Sequence, residues 1–107
     1  MGSVREIKEG RQEQGVEEEV TYTLTVPTTW GVPTGTPTIK VYSYDGITFT
    51  DVTTTIMPTV SASIASQVIT LAEAKSMTVD VLYRFEMKFD TTSGGVKEAY
   101  AWVQCRR

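Results

Sequence analysis

Apolar and polar positions alternate along much of this chain with a period of two. From Glu19 to Val26 the apolar side chains Val20, Tyr22, Leu24 and Val26 interleave with Thr21, Thr23 and Thr25. That period belongs to a half-buried strand. Pro27 ends it, because proline has no N–H for a ladder. Trp30 follows in a Gly- and Pro-rich stretch reaching Pro37, which reads as a loop with Trp30 as its anchor. A second strand is expected over Thr38–Tyr44, with Ile39 and Val41 on one face and Tyr42 and Tyr44 on the other. Asp45-Gly46 marks a tight turn. Ile47–Met57 alternates less cleanly and is expected to hold one or two short strands, closed by Pro58.

Ser61–Gln67 has small residues and little periodicity, so a loop is expected there. Val68–Leu71 reads as a short strand and Ala72–Lys75 as one helical turn. The strongest signal comes last. Tyr83, Phe85, Met87 and Phe89 alternate strictly with Arg84, Glu86 and Lys88, and Val96–Cys105 returns after the loop Thr91-Thr92-Ser93-Gly94-Gly95. This is the pattern of a β-hairpin. About seven short antiparallel strands at spacings near ten residues fit a β-sandwich. The domain is expected to be all-β over residues 19–107. Residues 1–18 are read as a charged, partly flexible lead-in, with an edge strand conceivable over Ser3–Lys8.

Composition supports strands: 18 of 107 residues are Thr, a β-branched type suited to a pleated surface. A chain of this length forms one domain with a modest core. Its single cysteine, Cys105, can form no internal disulfide and reads as a small buried thiol. No segment has the apolar length to cross a bilayer, and the charged N-terminal region lacks the apolar run of a secretory signal. The expected location is the cytoplasm when the chain is made. A net charge of −3 argues against nucleic acid, which needs a basic face.

Little chemistry is available. Without histidine the commonest general base and metal ligand is missing. Asp45, Asp51, Asp80 and Asp90 sit at expected turns or strand ends, where aspartate ordinarily belongs. No cofactor, metal site or catalytic group is expected. The one distinctive feature is a parity. If Ala99, Ala101, Val103 and Cys105 pack inward, then Tyr100 and Trp102 point outward with Tyr42, Tyr44 and Arg84, residue types enriched at interface hot spots. A one-residue bulge would invert that parity and put Tyr100 and Trp102 in the core.

The segment Met77-Thr78-Val79-Asp80-Val81-Leu82-Tyr83 resembles the corner before strand F of fibronectin type III and related immunoglobulin-like domains. The resemblance implies an immunoglobulin-like sandwich in which the Tyr83 hydroxyl bonds back to the preceding backbone and Met77 is the apolar anchor. Val79 and Val81 depart from that pattern, in which proline and threonine are frequent. A wider set is similar to small proteins encoded among phage and prophage structural genes. It comprises Glu19 through Trp30-Gly31, Asp51-Val52-Thr53, Thr55-Ile56-Met57-Pro58, Val68-Ile69-Thr70-Leu71 and Leu82-Tyr83-Arg84. That resemblance implies a virion or assembly component binding other protein subunits, with a homo-oligomer conceivable through an exposed strand edge, and a destination in the phage particle. A carbohydrate-binding module using Tyr42, Tyr44, Tyr100 and Trp102 as a stacking platform is the alternative.

Overall fold

A computed structural model describes residues 3–6 and 11–106. The chain is all-β: two sheets pack face to face as a sandwich. Nine strands are present among the described residues: β1 Ser3–Glu6, β2 Arg11–Gly15, β3 Val20–Thr25, β4 Pro33–Tyr44, β5 Phe49–Asp51, β6 Ala62–Ala65, β7 Val68–Leu71, β8 Leu82–Thr91 and β9 Val96–Arg106. A 3-10 turn at Thr28–Trp30 and one α-helical turn, α1 Thr53–Ile56, complete the elements. One sheet has the order β1-β3-β7-β6 and the other β2-β9-β8-β4-β5.

The core is built from the alternation already visible in the chain. Tyr22 of β3 meets Phe85 of β8 edge-on across the two sheets, ring centroids 5.5 Å apart. Around them β4 contributes Ile39 and Val41, β7 Ile69 and Leu71, and β9 Ala101, Val103 and Cys105, all buried. Burying each large apolar side chain contributes about 1.5–3 kcal/mol. Small Ala99 and Ala101 on β9 stand opposite large Met87 and Phe85 on β8, and complementary sizes keep the interior close-packed. Burial raises the Cys105 thiol above its ordinary pKa, with a smaller contribution from the Asp80 charge. Met77 is buried, and the Tyr83 hydroxyl accepts the Thr78 backbone N–H at 2.8 Å.

Several elements differ from expectation. Within the stretch read as a lead-in, the edge strand conceived over Ser3–Lys8 is present as Ser3–Glu6, parallel to β3, with Ile7 and Lys8 outside the described residues, but Arg11–Gly15, not expected as a strand, pairs parallel with β9. Two of the pairings are therefore parallel, not antiparallel. Gln14 explains why β2 docks: it is 1% exposed, donates from Nε2 to the carbonyls of Ala74 and Glu18, and accepts from the Tyr22 hydroxyl at 2.9 Å. A buried amide satisfied on both ends ties the N-terminal strand to the core of both sheets.

The expected loop before Thr38 belongs instead to β4, which bulges between Thr34 and Thr38. Gly35 has φ of +76° there, and Pro37 offers no ladder donor, so the irregularity sits where the sequence cannot keep register. Ala62–Ala65, expected as loop, pairs with β7 through a reversal at Ser66, whose φ is +53°. Ala72–Lys75 makes no helical turn. Ala74 is extended and bridges Val20 through two backbone hydrogen bonds of 2.8 and 3.0 Å. In Ile47–Met57 one short strand, β5, is followed by α1. Trp30 is half-buried and stacks on Phe89 at 6.3 Å. Gly31 beside it has φ of +95°, and a Cβ there would lie 2.6 Å from Ser93 Oγ, so the turn can pack on the β8–β9 loop only with glycine.

Candidate protein-interaction surface

Strand register decides which side chains share the outer face of the five-stranded sheet. Tyr42 of β4 stands opposite Arg84 of β8, and Arg84 opposite Trp102 of β9. The next row towards the hairpin loop is Lys40, Glu86 and Tyr100; beyond it come Thr38, Lys88 and Glu98. On the other side Tyr44 pairs with Leu82 and, through β5, with Phe49. No bulge interrupts β8 or β9 between Leu82 and Asp90. The inward set on β9 is therefore Ala99, Ala101, Val103 and Cys105, and Tyr100 and Trp102 project outward. All five residues singled out in the sequence, Tyr42, Tyr44, Arg84, Tyr100 and Trp102, lie on this one face.

Phe49 sits at the centre of the cluster. Its ring stacks on Tyr44 at 4.4 Å, lies edge-on to Tyr42 at 6.3 Å and tilts against Trp102 at 6.2 Å. The Arg84 guanidinium carbon lies 4.1 Å from the Tyr100 ring centroid, 5.4 Å from Phe49 and 5.8 Å from Trp102. A guanidinium among three rings gains cation–π attraction at each face it meets. Its Nε stands 3.0 Å from Glu86 Oε2, yet the oxygen lies off the N–H direction and this buried Nε has no hydrogen-bond partner. The pair is electrostatic contact without a well-aligned bond. Tyr100, 50% exposed, donates to Glu98 at 3.0 Å. That bond, with the Glu98 and Glu86 charges, raises the Tyr100 pKa above its ordinary value.

Phe49 and Tyr44 are placed by the β4–β5 turn. Asp45 Oδ1 accepts the N–H groups of Ile47 and Thr48 at 2.8 and 2.7 Å, and Tyr44 donates to the Gly46 carbonyl at 2.9 Å. Those backbone bonds, Thr48 first, hold the Asp45 carboxyl below the usual carboxylate range. The turn so fixed presents Ile47 at 90% exposure. Where β5 stops, Thr53 takes over the ladder: its hydroxyl accepts the Val41 N–H at 2.9 Å and donates to Asp51 Oδ1 at 2.6 Å. Asp51 also accepts the Thr53 N–H and is lowered below the usual carboxylate range, chiefly by the Thr53 side chain.

Beside Tyr100 lies a groove of about 260 Å³ lined by Thr38, Lys40, Glu86, Met87, Lys88 and Glu98. Its charges alternate in sign across neighbouring strands. No cluster of three or more metal-ligating side chains occurs among the described residues, and none of their helices is long and apolar enough to cross a membrane. The sequence reading missed Phe49. Its stretch alternates poorly, and a two-residue Asp45-Gly46 turn would set Ile47 opposite Tyr44, whereas the connection runs from Asp45 to Thr48 and Tyr44 pairs with Phe49.

No family model matches the chain, and no curated protein is significantly similar to it.

Proposed function

We propose that this protein is an immunoglobulin-like sandwich of the phage structural kind, a virion or assembly module that acts without catalysis, through protein–protein contacts on the outer face of the five-stranded sheet. The strand orders support the fold reading. The order β3-β7-β6 is that of strands B, E and D of the immunoglobulin pattern, and β9-β8-β4-β5 that of G, F, C and C′; β1, parallel to β3, departs from the antiparallel strand A. The Tyr83 hydroxyl on the Thr78 N–H supports it further, as the tyrosine corner of that family. The phage assignment rests on the sequence resemblance.

The single observation that carries the functional reading is the cluster of Arg84 with Phe49, Tyr100 and Trp102 on an uncovered sheet face. Arginine and large aromatics are the anchors of protein interfaces. A sugar platform needs a ring face left open. Tyr44 and Phe49 use theirs on each other at 4.4 Å, and Arg84 covers Tyr100 at 4.1 Å, which favours a protein partner. The test is quantitative mass spectrometry of particles purified from a host carrying this gene. A defined copy number, lowered by Trp102→Ala in a chain that still folds, is the expected result. Absence from intact particles would overturn the virion role, and saturable binding on a glycan array would transfer the face to carbohydrate.

A further inference from the structure

We infer that this sheet face is the self-complementary half of a two-fold homodimer, in which two copies stack face to face with their β8 strands antiparallel. The inference rests on reading the face as a protein-contact surface and is independent of the virion assignment.

The argument starts from the order of side chains along the strands. Outward from β8 come Leu82, Arg84, Glu86 and Lys88 in succession, with Tyr42 and Trp102 flanking Arg84, and Lys40 and Tyr100 flanking Glu86. A two-fold axis lying across the strands, between these two rows, exchanges them. Arg84 then meets Glu86 of the second copy and Glu86 meets its Arg84. Lys40 falls on the Tyr42 ring opposite, and Tyr100 on Trp102. Arg84 thus finds a carboxylate and Lys40 an aromatic ring, the two partners that suit a cation, while Lys88, one row further out, falls on Leu82. A two-fold axis along β8 would instead set Arg84 on Arg84 and Glu86 on Glu86. The charge pattern therefore selects one of the two ways the face can pair with itself, as an isologous interface requires.

Net charge points the same way. The chain carries −3, a balance that keeps copies apart in general. On the four rows from Thr38 to Tyr44, however, Lys40, Arg84 and Lys88 are matched by Asp51, Glu86 and Glu98. The face is neutral where the molecule is not. Its area is also sufficient. Five strands about 4.8 Å apart, with outward rows about 6.8 Å apart along them, give a surface of roughly 500–600 Å² in plan. With side-chain relief this approaches the ~800 Å² per partner of a standard interface.

The test uses charge reversal in both directions. By light scattering coupled to size exclusion, the wild type is expected at twice the 11.8 kDa chain mass. Arg84→Glu alone and Glu86→Arg alone each put like charges together, which costs several kcal/mol and weakens the dimer about 100-fold or more. Each is expected to run as a monomer with an unchanged circular dichroism spectrum. Mixed in equal amounts, the two variants should form a heterodimer, because the paired glutamates of one now meet the paired arginines of the other. A misfolded variant cannot give that rescue. Tyr42→Ala, uncharged, provides a second variant if a reversal unfolds the chain, with an expected loss of about tenfold. A monomeric wild type, a reversal that stays dimeric, or a mixture that stays monomeric overturns the inference. A monomer whose entry into particles still falls with Arg84→Glu would assign the face to a different protein, leaving the proposed function in place. A dimer that never enters particles would do the reverse.

Discussion

Replacing Thr53 by valine tests how the β4–β5 hairpin, and with it Phe49 and Tyr44, is held in place. The two side chains have nearly the same shape, so packing is preserved and the hydroxyl alone is removed. In the folded chain that hydroxyl is the acceptor for the buried Val41 N–H at 2.9 Å, and Thr53 is only 7% exposed. Valine leaves the N–H without a partner and out of reach of water, a cost of about 1–3 kcal/mol. Against this, a buried methyl replaces a hydroxyl, worth up to about 0.8 kcal/mol. The Asp51 carboxylate loses a donor too, but it is exposed and water replaces it. The net destabilisation should be about 1–2 kcal/mol, which for a domain of this size lowers Tm by about 4–8 °C per kcal/mol. Urea unfolding followed by Trp30 and Trp102 fluorescence measures it, with Thr53→Ser as the control that keeps the bond. Amide exchange at Val41 should accelerate beyond the change in global stability. If the valine variant matched the wild type in both, Val41 would have another acceptor and the hairpin would not depend on Thr53.

Tyr83→Phe removes the acceptor of the Thr78 N–H and should cost about 1–2 kcal/mol in chemical denaturation; an unchanged midpoint would mean that water serves this amide and the corner is not fixed by the tyrosine. Tyr22→Phe strips the donor from Gln14 Oε1 in a site 1% exposed and should cost about 1–3 kcal/mol, and in Gln14→Leu the same change should cost much less, a coupling that a double-mutant cycle reads directly. Asp51 is lowered in the fold, so the stability it contributes is fully present above its unfolded pKa and is lost as pH falls through the lower folded value; wild-type Tm should fall more than that of Asp51→Asn below about pH 4, and equal slopes would show that Asp51 is not linked to folding. Ile47→Thr should leave stability within about 0.5 kcal/mol, since the side chain is 90% exposed, and a large loss would place Ile47 in a contact within the fold.

The strands legible in the sequence are those whose two faces differ sharply. From Tyr83 to Asp90 β8 alternates large apolar and charged residues, so its inward face follows from the pattern alone. β3 behaves the same way with threonine as the polar partner. β6 was hidden because Ala62, Ser63, Ile64 and Ala65 carry little contrast between faces, and its reversal uses Ser66 in the left-handed region where glycine or asparagine would have announced a turn. The first part of β4 was hidden for the opposite reason: Gly35 and Pro37 signal a loop, whereas here they make a bulge inside a strand. β2 was the deepest miss. Arg11, Gln12, Glu13 and Gln14 read as solvated because their type is polar, yet Gln14 is buried through hydrogen bonds to backbone carbonyls and Tyr22 that are distant in sequence. Burial of a polar residue depends on partners, and local pattern holds no record of them.

The outer-face cluster was legible in outline for a reason specific to strand β9. Its two faces are both apolar in large part, so hydrophobicity cannot say which turns inward; size can. The partner strand β8 fills the interior with Phe85, Met87 and Phe89, and a close-packed layer can take only small residues opposite them. Ala99 and Ala101 satisfy that constraint, whereas Tyr100 and Trp102 turned inward would overpack the space between the sheets. Two large aromatics are thus left on the outside by steric necessity. The alignment of Arg84 with both rings goes further than sterics demands. Lysine or threonine would keep β8 polar, but a planar guanidinium can lie 4.1 Å from the Tyr100 ring centroid and stack on it. What the sequence concealed was the completing ring, Phe49, because it belongs to a strand of three residues too short to show any period. The outer face is therefore gathered around one ring, Phe49, which joins Tyr42 and Tyr44 of β4 to Trp102 of β9.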